Sequence, residues 1–524
     1  MSASKKLTKS KAALSIRQPG KKEPLAGSME EILLFRKIQD SFPRQFKKVF
    51  PDKLAAKSVI IIPSLTLDQE ILSKVNGHIH YEERLLCLLM LLRMPRTHVV
   101  YISSEPIDDV IIDYYLHLLP GITRNHALQR LTMLSCYDAS ARSLTEKILD
   151  RPRLMERIKK SIPTGNVAHM ACFNVTRYER TLSVKLNMPI YGCDPEHYEL
   201  GNKSNSRKFF KQCGLHVPPG FEDLKDEEEI INALTNLKLT YPDMKRAVVK
   251  MNDGFSGEGN AVFSYEGIDE GTEWKLLIRE QLSTKLKIVA RDLTYQDFMY
   301  KFQSMGGIVE AFIEGDFKMS PSVQCRINPM GKCKVISTHD QVMGGESGQV
   351  FTGATFPAHA DYVIEIGGFG LKVAHALQKN GVIGRFAVDF ISVKEGDDWK
   401  HYAIEINLRK GGTTHPYISL QLLTDGDYDY NNGLYLTANM QTRYYYCSDN
   451  LQSDKYIGIT PPDLIDIAIM NHLHYDGTSQ EGVMFHLIGA LSQYGKLGVV
   501  CIGSTPQRAK NFYEQTVKVL DGEC

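Results

Sequence analysis

In the stretch Glu405-Ile406-Asn407-Leu408-Arg409-Lys410, polar side chains alternate with apolar ones. On a β-strand, residues i and i+2 face the same way, so Glu405, Asn407 and Arg409 are expected to project together. A carboxylate beside a carboxamide oxygen suits magnesium, a hard cation usually held by few side chains plus phosphate. An arginine two residues on can meet a phosphoryl group through paired N–H donors. The preceding run, Arg385-Phe-Ala-Val-Asp389-Phe390, has the same alternation. In a hairpin, Asp389 would stand opposite Glu405 and complete the metal ligands. The plain alternative is a surface strand with solvated charges. It is disfavoured because Phe386, Val388, Phe390, Ile404 and Ile406 give the hairpin one apolar face to bury.

Upstream lies a second run, Lys250-Met-Asn-Asp-Gly254-Phe-Ser256-Gly257-Glu258-Gly259-Asn260. Three glycines and a serine let backbone N–H groups wrap a phosphate, and Lys250 can add a point charge. A glycine-rich hairpin is by itself more often only a turn, and no Walker loop (G-x-x-x-x-G-K-[ST]) occurs. The third run, Val309-Glu310-Ala-Phe312-Ile313-Glu314-Gly315, has the pattern of an ordinary core strand when taken alone.

The N-terminal half has a different rhythm. Ser58-Val-Ile-Ile-Ile-Pro63, a helical stretch over Tyr81–Arg93 and His98-Val-Val-Tyr-Ile-Ser103 predict a βαβ unit on a parallel sheet. Further strands are expected within Leu128–Cys136 and Val167–Phe173, and helices over Glu30–Phe42, Asp108–Leu119, Leu144–Ile162 and Thr176–Leu186. No G-x-G-x-x-G follows the first strand, so this Rossmann-like layer is expected to be architectural or substrate-binding, not a dinucleotide site. Beyond it, long helices are expected over Lys285–Ser304 and Ala360–Lys379.

The three runs, in this order, resemble the ATP-grasp superfamily. More narrowly, the chain resembles the pheganomycin-type peptide ligase branch, which carries a pre-ATP-grasp domain. That resemblance is carried by Tyr101-Ile-Ser-Ser-Glu-Pro106, Asp113-Tyr-Tyr-Leu116, Glu405–Pro416 (EINLRKGGTTHP) and Gly482-Val-Met-Phe-His486. It implies an α/β chain with an α+β ATP-grasp core. The expected divisions are a basic tail (1–28), a Rossmann-like pre-ATP-grasp domain (29–194), a two-subdomain ATP-grasp domain (195–435) and a small C-terminal α/β domain (436–524).

The resemblance also implies roles. Lys203 and Lys250 would contact ATP phosphates, covered by Ser256, Gly257, Glu258, Gly259 and Asn260. Glu310, Phe312 and Ile313 would hold adenine, with Glu314 or Asp316 at the ribose. Asp389, Glu405 and Asn407 would bind Mg2+ (Mn2+ being an alternative), and Arg409 would meet the transferring phosphoryl. Arg326 is a candidate for holding a carboxylate or phosphate, and His415 a candidate base for the attacking amine or a turn cap; His486 is expected to be structural. The arginine often found two residues before the metal aspartate is displaced, since Ala387 stands there and Arg385 lies further upstream.

The implied activity is ATP-dependent joining of a small-molecule carboxylate, such as an amino acid or peptide, to an amine. The alternatives are phosphoryl transfer, a thiol acceptor, or a non-catalytic nucleotide-binding interaction module. The remaining composition is permissive. A net charge of +1 gives no electrostatic case for nucleic acid or an acidic membrane. The eight-residue apolar run Leu85–Leu92 is far too short to span a bilayer. The 10 cysteines form no C-x-x-C pair, so free thiols in a cytoplasmic setting are expected. A homodimer is compatible with these features. Residues 1–28 hold seven Lys/Arg and one acid, Glu23, which predicts a solvated tail.

Overall fold

The computed structural model describes residues 23–67, 69–254, 259–267, 273–290, 293–344 and 350–523. Lys57–Ile62 is buried along its whole length, as the central strand of a parallel sheet must be. Its neighbours are Thr97–Ser103 and Val167–Cys172, both parallel to it, with Leu131–Ser135 at the edge. The strand's two faces feed different cores. Val59 and Ile61 pack with Leu85, Leu86 and Leu89, while Ile60 and Ile62 pack with Phe35, Ile148 and Leu182. The leucine-rich segment His78–Arg93 is wound as a 3₁₀ helix. Where a dinucleotide turn would lie, Ser64 and Thr66 are bonded to each other at 2.7 Å, and Thr66 donates to buried Glu179 at 2.6 Å.

Two antiparallel sheets follow. The smaller has the order Gly220–Leu224, Gly307–Ala311, Arg246–Met251, Asn260–Ser264, Leu286–Ile288. The expected helix over Lys285–Ser304 is thereby divided. Leu286-Lys-Ile288 pairs with Ala261–Phe263, leaving helices Trp274–Lys285 and Tyr295–Met305 on either side. The stretch from Leu144 is also cut into two helices, with Pro152 opening the second.

The larger sheet has nine strands, with Gly384–Glu395, Pro321–Ile327, Cys333–Gly344 and Val350–Phe356 side by side. Asp398–Asn407 also pairs with Gly384–Glu395. The same sheet continues through Tyr444–Gln452, Lys496–Gly503 and Gly482–His486, so C-terminal strands extend the larger sheet directly. Helix Val363–Lys379 covers one face. A Cβ on its Gly370 would lie 2.5 Å from Val323, so this close approach requires glycine. The opposite face, bearing Ser322, Gln324, Asp389 and Asn407, is left for chemistry.

Buried histidines make this fold acid-sensitive. Burial pushes the imidazoles of His169 and His339 down to about 3, whereas an unfolded histidine titrates near 6.5. Between those values the unfolded chain binds protons that the folded chain refuses. Stability therefore falls as pH drops from 6.5, by about 1.4 kcal/mol per pH unit for each histidine. Glu82, raised to about 7 by burial, acts in the opposite sense between 7 and 4.5. A comparison with a variant removes that contribution. Urea midpoints of His339→Gln should fall less steeply than those of the unsubstituted chain between pH 6.5 and 4; equal slopes would contradict the buried-neutral assignment.

Candidate active site

Asp389 and Glu405 are register partners on adjacent antiparallel strands, which places their side chains on one face. Asn407, two residues on, donates from Nδ2 to Asp389 Oδ2 at 2.8 Å. Burial, then the nearby Glu405 charge, pushes the Asp389 carboxyl up to about 6. Burial opposes ionisation of Glu405 too, but Lys203, Arg409 and Lys250 outweigh it and hold that group below its ordinary value. The pair is thus one strained acid beside one held ionised by cations. Two carboxylates and an amide oxygen form the oxygen donor set that Mg2+ prefers, so the residues fit the ion.

Lys203 is the first residue of helix Lys203–Gln212, capped by Asn202, and its Nζ lies 3.4 Å from Glu405 Oε2. The helix is tied to both sheets. Ser206 Oγ accepts from Ile406 N at 3.3 Å, and Ser204 Oγ donates to Gly307 O at 3.4 Å. Arg207, wholly buried, is ion-paired to Glu310 and donates to Glu222 at 3.0 Å and to Pro218 O at 2.8 Å. The other Glu310 oxygen takes the Lys250 ammonium at 2.6 Å.

Glu310 is one of the three residues expected to hold adenine. Its side chain is 2% exposed and spent on two cations, so it positions Lys250 and has no free oxygen to offer a nucleotide. Phe312 lies between cations, with Arg246 at 3.9 Å and the Lys318 ammonium at 4.4 Å from its ring centre. Ile313 follows, its carbonyl 3.4 Å from the Lys318 ammonium. Of the two ribose candidates, Glu314 is paired with Arg246 at 2.9 and 2.6 Å, and Asp316 is exposed.

The glycine-rich loop is described only at its base. Lys250 and Asn260 are register partners, Gly259 O accepts from Met251 N at 2.9 Å, and a Cβ on Gly254 would come within 3.3 Å of Gly259. Ser256, Gly257 and Glu258 lie outside the described residues.

Two further expectations are corrected. The strand ends at Asn407, so Arg409 belongs to the bend after it and not to the strand face; its charge still acts on both carboxylates. His415 is not presented to a substrate. It is 1% exposed, with Nε2 at 3.0 Å from Asp449 Oδ1 and 2.9 Å from His486 Nε2. Burial pushes it down to about 4 against the pull of Asp449. Ligand atoms of His415, Asp449 and His486 lie within 4.8 Å of one another, but Arg84 takes the other Asp449 oxygen at 2.7 Å. Burial works against Asp449's charge, yet Arg84 and His415 hold its carboxyl well below the usual range. This is an internal polar network that fixes helix Thr414–Thr424.

Gln324 donates to Thr413 Oγ1 at 2.9 Å and accepts from Thr414 Oγ1 at 3.1 Å, pinning the Gly411–Thr414 turn to the sheet. Lys410 reaches back to the parallel sheet, bonding Cys172 O through its ammonium and Phe173 O through its backbone at 3.1 Å. Sequence reasoning did not single out Arg207, Gln324, Arg84 or Asp449. Only the buried partners of each reveal a role, and no local spacing marks them.

Comparison with known proteins bears on the fold. Residues 196–276 and 278–431 match the family model "IQCH-like, ATP-grasp", and 463–516 match "PGM1 C-terminal domain". Across residues 196–431 the chain is thus similar to ATP-grasp proteins. It is 26% identical over 477 residues to L-propargylglycine–L-glutamate ligase of Streptantibioticus cattleyicolor, covering 88% of this chain and 94% of that one. It is also 23% identical over 433 residues to IQ motif-containing protein H of Danio rerio, covering 74% of this chain but 40% of that protein. Among solved structures, biotin carboxylase from Campylobacter jejuni, bound to an ATP analogue, superposes with a TM-score of 0.52 at 13% identity. It covers 89% of this chain and 95% of that one, a likeness of fold. Among the described residues no helix is long and apolar enough to cross a membrane.

The shared Glu310 gives a direct test. Glu310→Gln leaves two buried cations facing a neutral amide, which should cost roughly 3–5 kcal/mol of stability and weaken nucleotide binding. Lys250→Met should weaken nucleotide binding more than tenfold with a smaller stability loss, because Glu310 keeps Arg207. Thermal melting and ATP-analogue calorimetry measure both. Unchanged melting and affinity in Glu310→Gln would contradict the coupling.

Proposed function

We propose that this chain is an ATP- and magnesium-dependent ligase that joins a small-molecule carboxylate to an amine through an acyl phosphate. The observation that carries this reading is the cross-strand Asp389–Glu405 pair with Asn407 beside it and Lys203 on Glu405, set in a chain similar along its length to an amino-acid ligase. Lys203 and Lys250 project toward the carboxylate pair from the helix and sheet that flank it. In this reading they hold the nucleotide phosphates, and Phe312 and Ile313 meet the adenine.

Asp389, Glu405 and Asn407 would hold Mg2+, which would neutralise phosphate charge and draw the reacting oxygens into line. A substrate carboxylate oxygen attacks the γ-phosphorus, the bond to ADP breaks, and Arg409 with the two lysines stabilises the charge that develops. The amine then attacks the acyl carbon, phosphate leaves with its bonding electrons, and the amine loses a proton. In this reading the Gly411–Thr414 turn held by Gln324 restricts water, to which an acyl phosphate is vulnerable. His415 is enclosed in the protein core and takes no part in the proton transfer.

A panel of amino acids and dipeptides, screened for phosphate release with and without a second amine, tests this reading. ADP formation should require a carboxylate, and hydroxylamine should trap a hydroxamate in place of the amide. Glu405→Ala should abolish turnover, and Arg409→Ala should lower kcat by about 10²–10³, with melting temperatures preserved. Wild-type turnover in both variants, or ADP formation indifferent to any carboxylate, would refute the assignment.

A further inference from the structure

On the same sheet face as the metal ligands, two arginines stand directly opposite one another. Arg326 and Arg385 are register partners on adjacent antiparallel strands, where like charges repel. Among the described residues neither has a carboxylate partner or a hydrogen bond, and Arg385 Nη1 is buried without any acceptor. Burial first, then the neighbouring Arg326 charge, pushes the Arg385 guanidinium down to about 10. Lys410 adds a third cation, lowered to about 8 mainly by burial, with Arg385 contributing.

Two tyrosines converge on the same place. Tyr417 is 0% exposed and its hydroxyl has no partner; the Tyr191 hydroxyl is buried and unpartnered as well. Both rings lie close enough to Arg326 and Arg385 to feel their charge. Asp427, the one carboxylate acting on Tyr417, is exposed and paired with Lys334. Among the described residues, two guanidinium groups and two buried hydroxyls without partners are gathered here with no carboxylate paired to them, while Lys410, whose ammonium bonds Cys172 O, adds positive charge nearby. Unpaired buried charge is costly, and a protein that retains such a cluster has arranged it for an anion it does not itself supply.

Position narrows the chemistry. Arg385 precedes Asp389 by four residues on one strand, about 13 Å along its axis, and Gln324, which pins the Thr413–Thr414 turn, stands between. We propose that Arg326, Arg385, Tyr417 and Tyr191 form a carboxylate-binding subsite for the amine-donating substrate, which would make that substrate an amino acid with a free carboxylate. The identity of the molecule that brings the carboxylate rests on the ligase reading. The existence of the anion site does not.

Two measurements separate those questions. In the first, melting temperatures are read with glutarate, inorganic phosphate or chloride at equal ionic strength, with no nucleotide present. Glutarate should raise the melting temperature of the unsubstituted chain by several degrees over chloride. Arg385→Met and Tyr417→Phe should lose that shift, and Arg385→Met should melt no lower than the unsubstituted chain in chloride, because an unpaired cation has been removed. A shift with phosphate equal to that with glutarate, no shift with either, or a strongly destabilised Arg385→Met would overturn the proposal.

The second measurement compares kcat/KM for an accepted amino acid with that for its carboxamide. The unsubstituted chain should favour the acid at least tenfold, and Arg385→Met should bring the ratio toward one. An unchanged ratio in a folded variant would overturn the assignment to the amine substrate. Failure of all turnover in the unsubstituted chain would count against the ligase reading, while the glutarate result would still judge the site.

Discussion

The lysine side of the candidate site depends on one buried carboxylate. Glu310 gives one oxygen to Lys250, from the smaller sheet, and the other to Arg207, from the helix that begins with Lys203. Each oxygen is needed, because a buried charge is tolerable only when paired and hydrogen-bonded. The same contact that satisfies Arg207 fixes the helix, and the helix sets Lys203 against Glu405 on the other sheet. Two lysines from distant segments thus reach one region through a single internal ion network. Loss of that network would disturb both at once, which is why Glu310 matters more as a positioning residue than as a ligand.

A second constraint joins the N-terminal layer to the reacting strand. Lys410 bonds the carbonyl end of Val167–Cys172, and Arg84, stacked 4.2 Å from the Tyr81 ring, holds Asp449. Asp449 in turn fixes His415 and His486. The turn after the metal strand is therefore gripped from the parallel sheet, the C-terminal strands and Gln324 together. A turn so held keeps its backbone in place without a large closing motion of its own.

Much of this was legible in the sequence because strand chemistry is local. Alternation of Glu405, Ile406 and Asn407 predicted a shared face, and the same period around Asp389 predicted the cross-strand pair that the register contains. The parallel sheet was equally readable from its β-branched runs. What escaped depended on long-range contacts or on where a strand stops. Arg409 left the strand face because pairing ends at Asn407. Leu286-Lys-Ile288 became a strand because a neighbouring edge was available, overriding helical periodicity. Beside glycines and threonines, His415 read as a candidate base or turn cap, yet its partners Asp449 and His486 are 34 and 71 residues away. The pairing of Arg326 with Arg385 was hidden for the same reason, since register across strands distant in sequence is not a sequence feature.

The sheet face that results is electrically divided. Asp389 and Glu405 occupy one end and attract cations, and Arg326 and Arg385 stand at the other with no carboxylate paired to them among the described residues. Neutral Gln324 and Ala387 separate the two as register partners. An arrangement of this kind is poor for stability taken alone, because each end contains repulsion that a repacked apolar face would avoid. It suits the proposed substrate with two polar ends, one reacting beside the ion that Asp389 and Glu405 would hold and the other neutralising the guanidinium pair. Binding at the cationic end would then orient the nucleophile toward the acyl carbon. Such orientation converts a bimolecular encounter into a near-unimolecular one, among the largest rate factors a rigid site can supply.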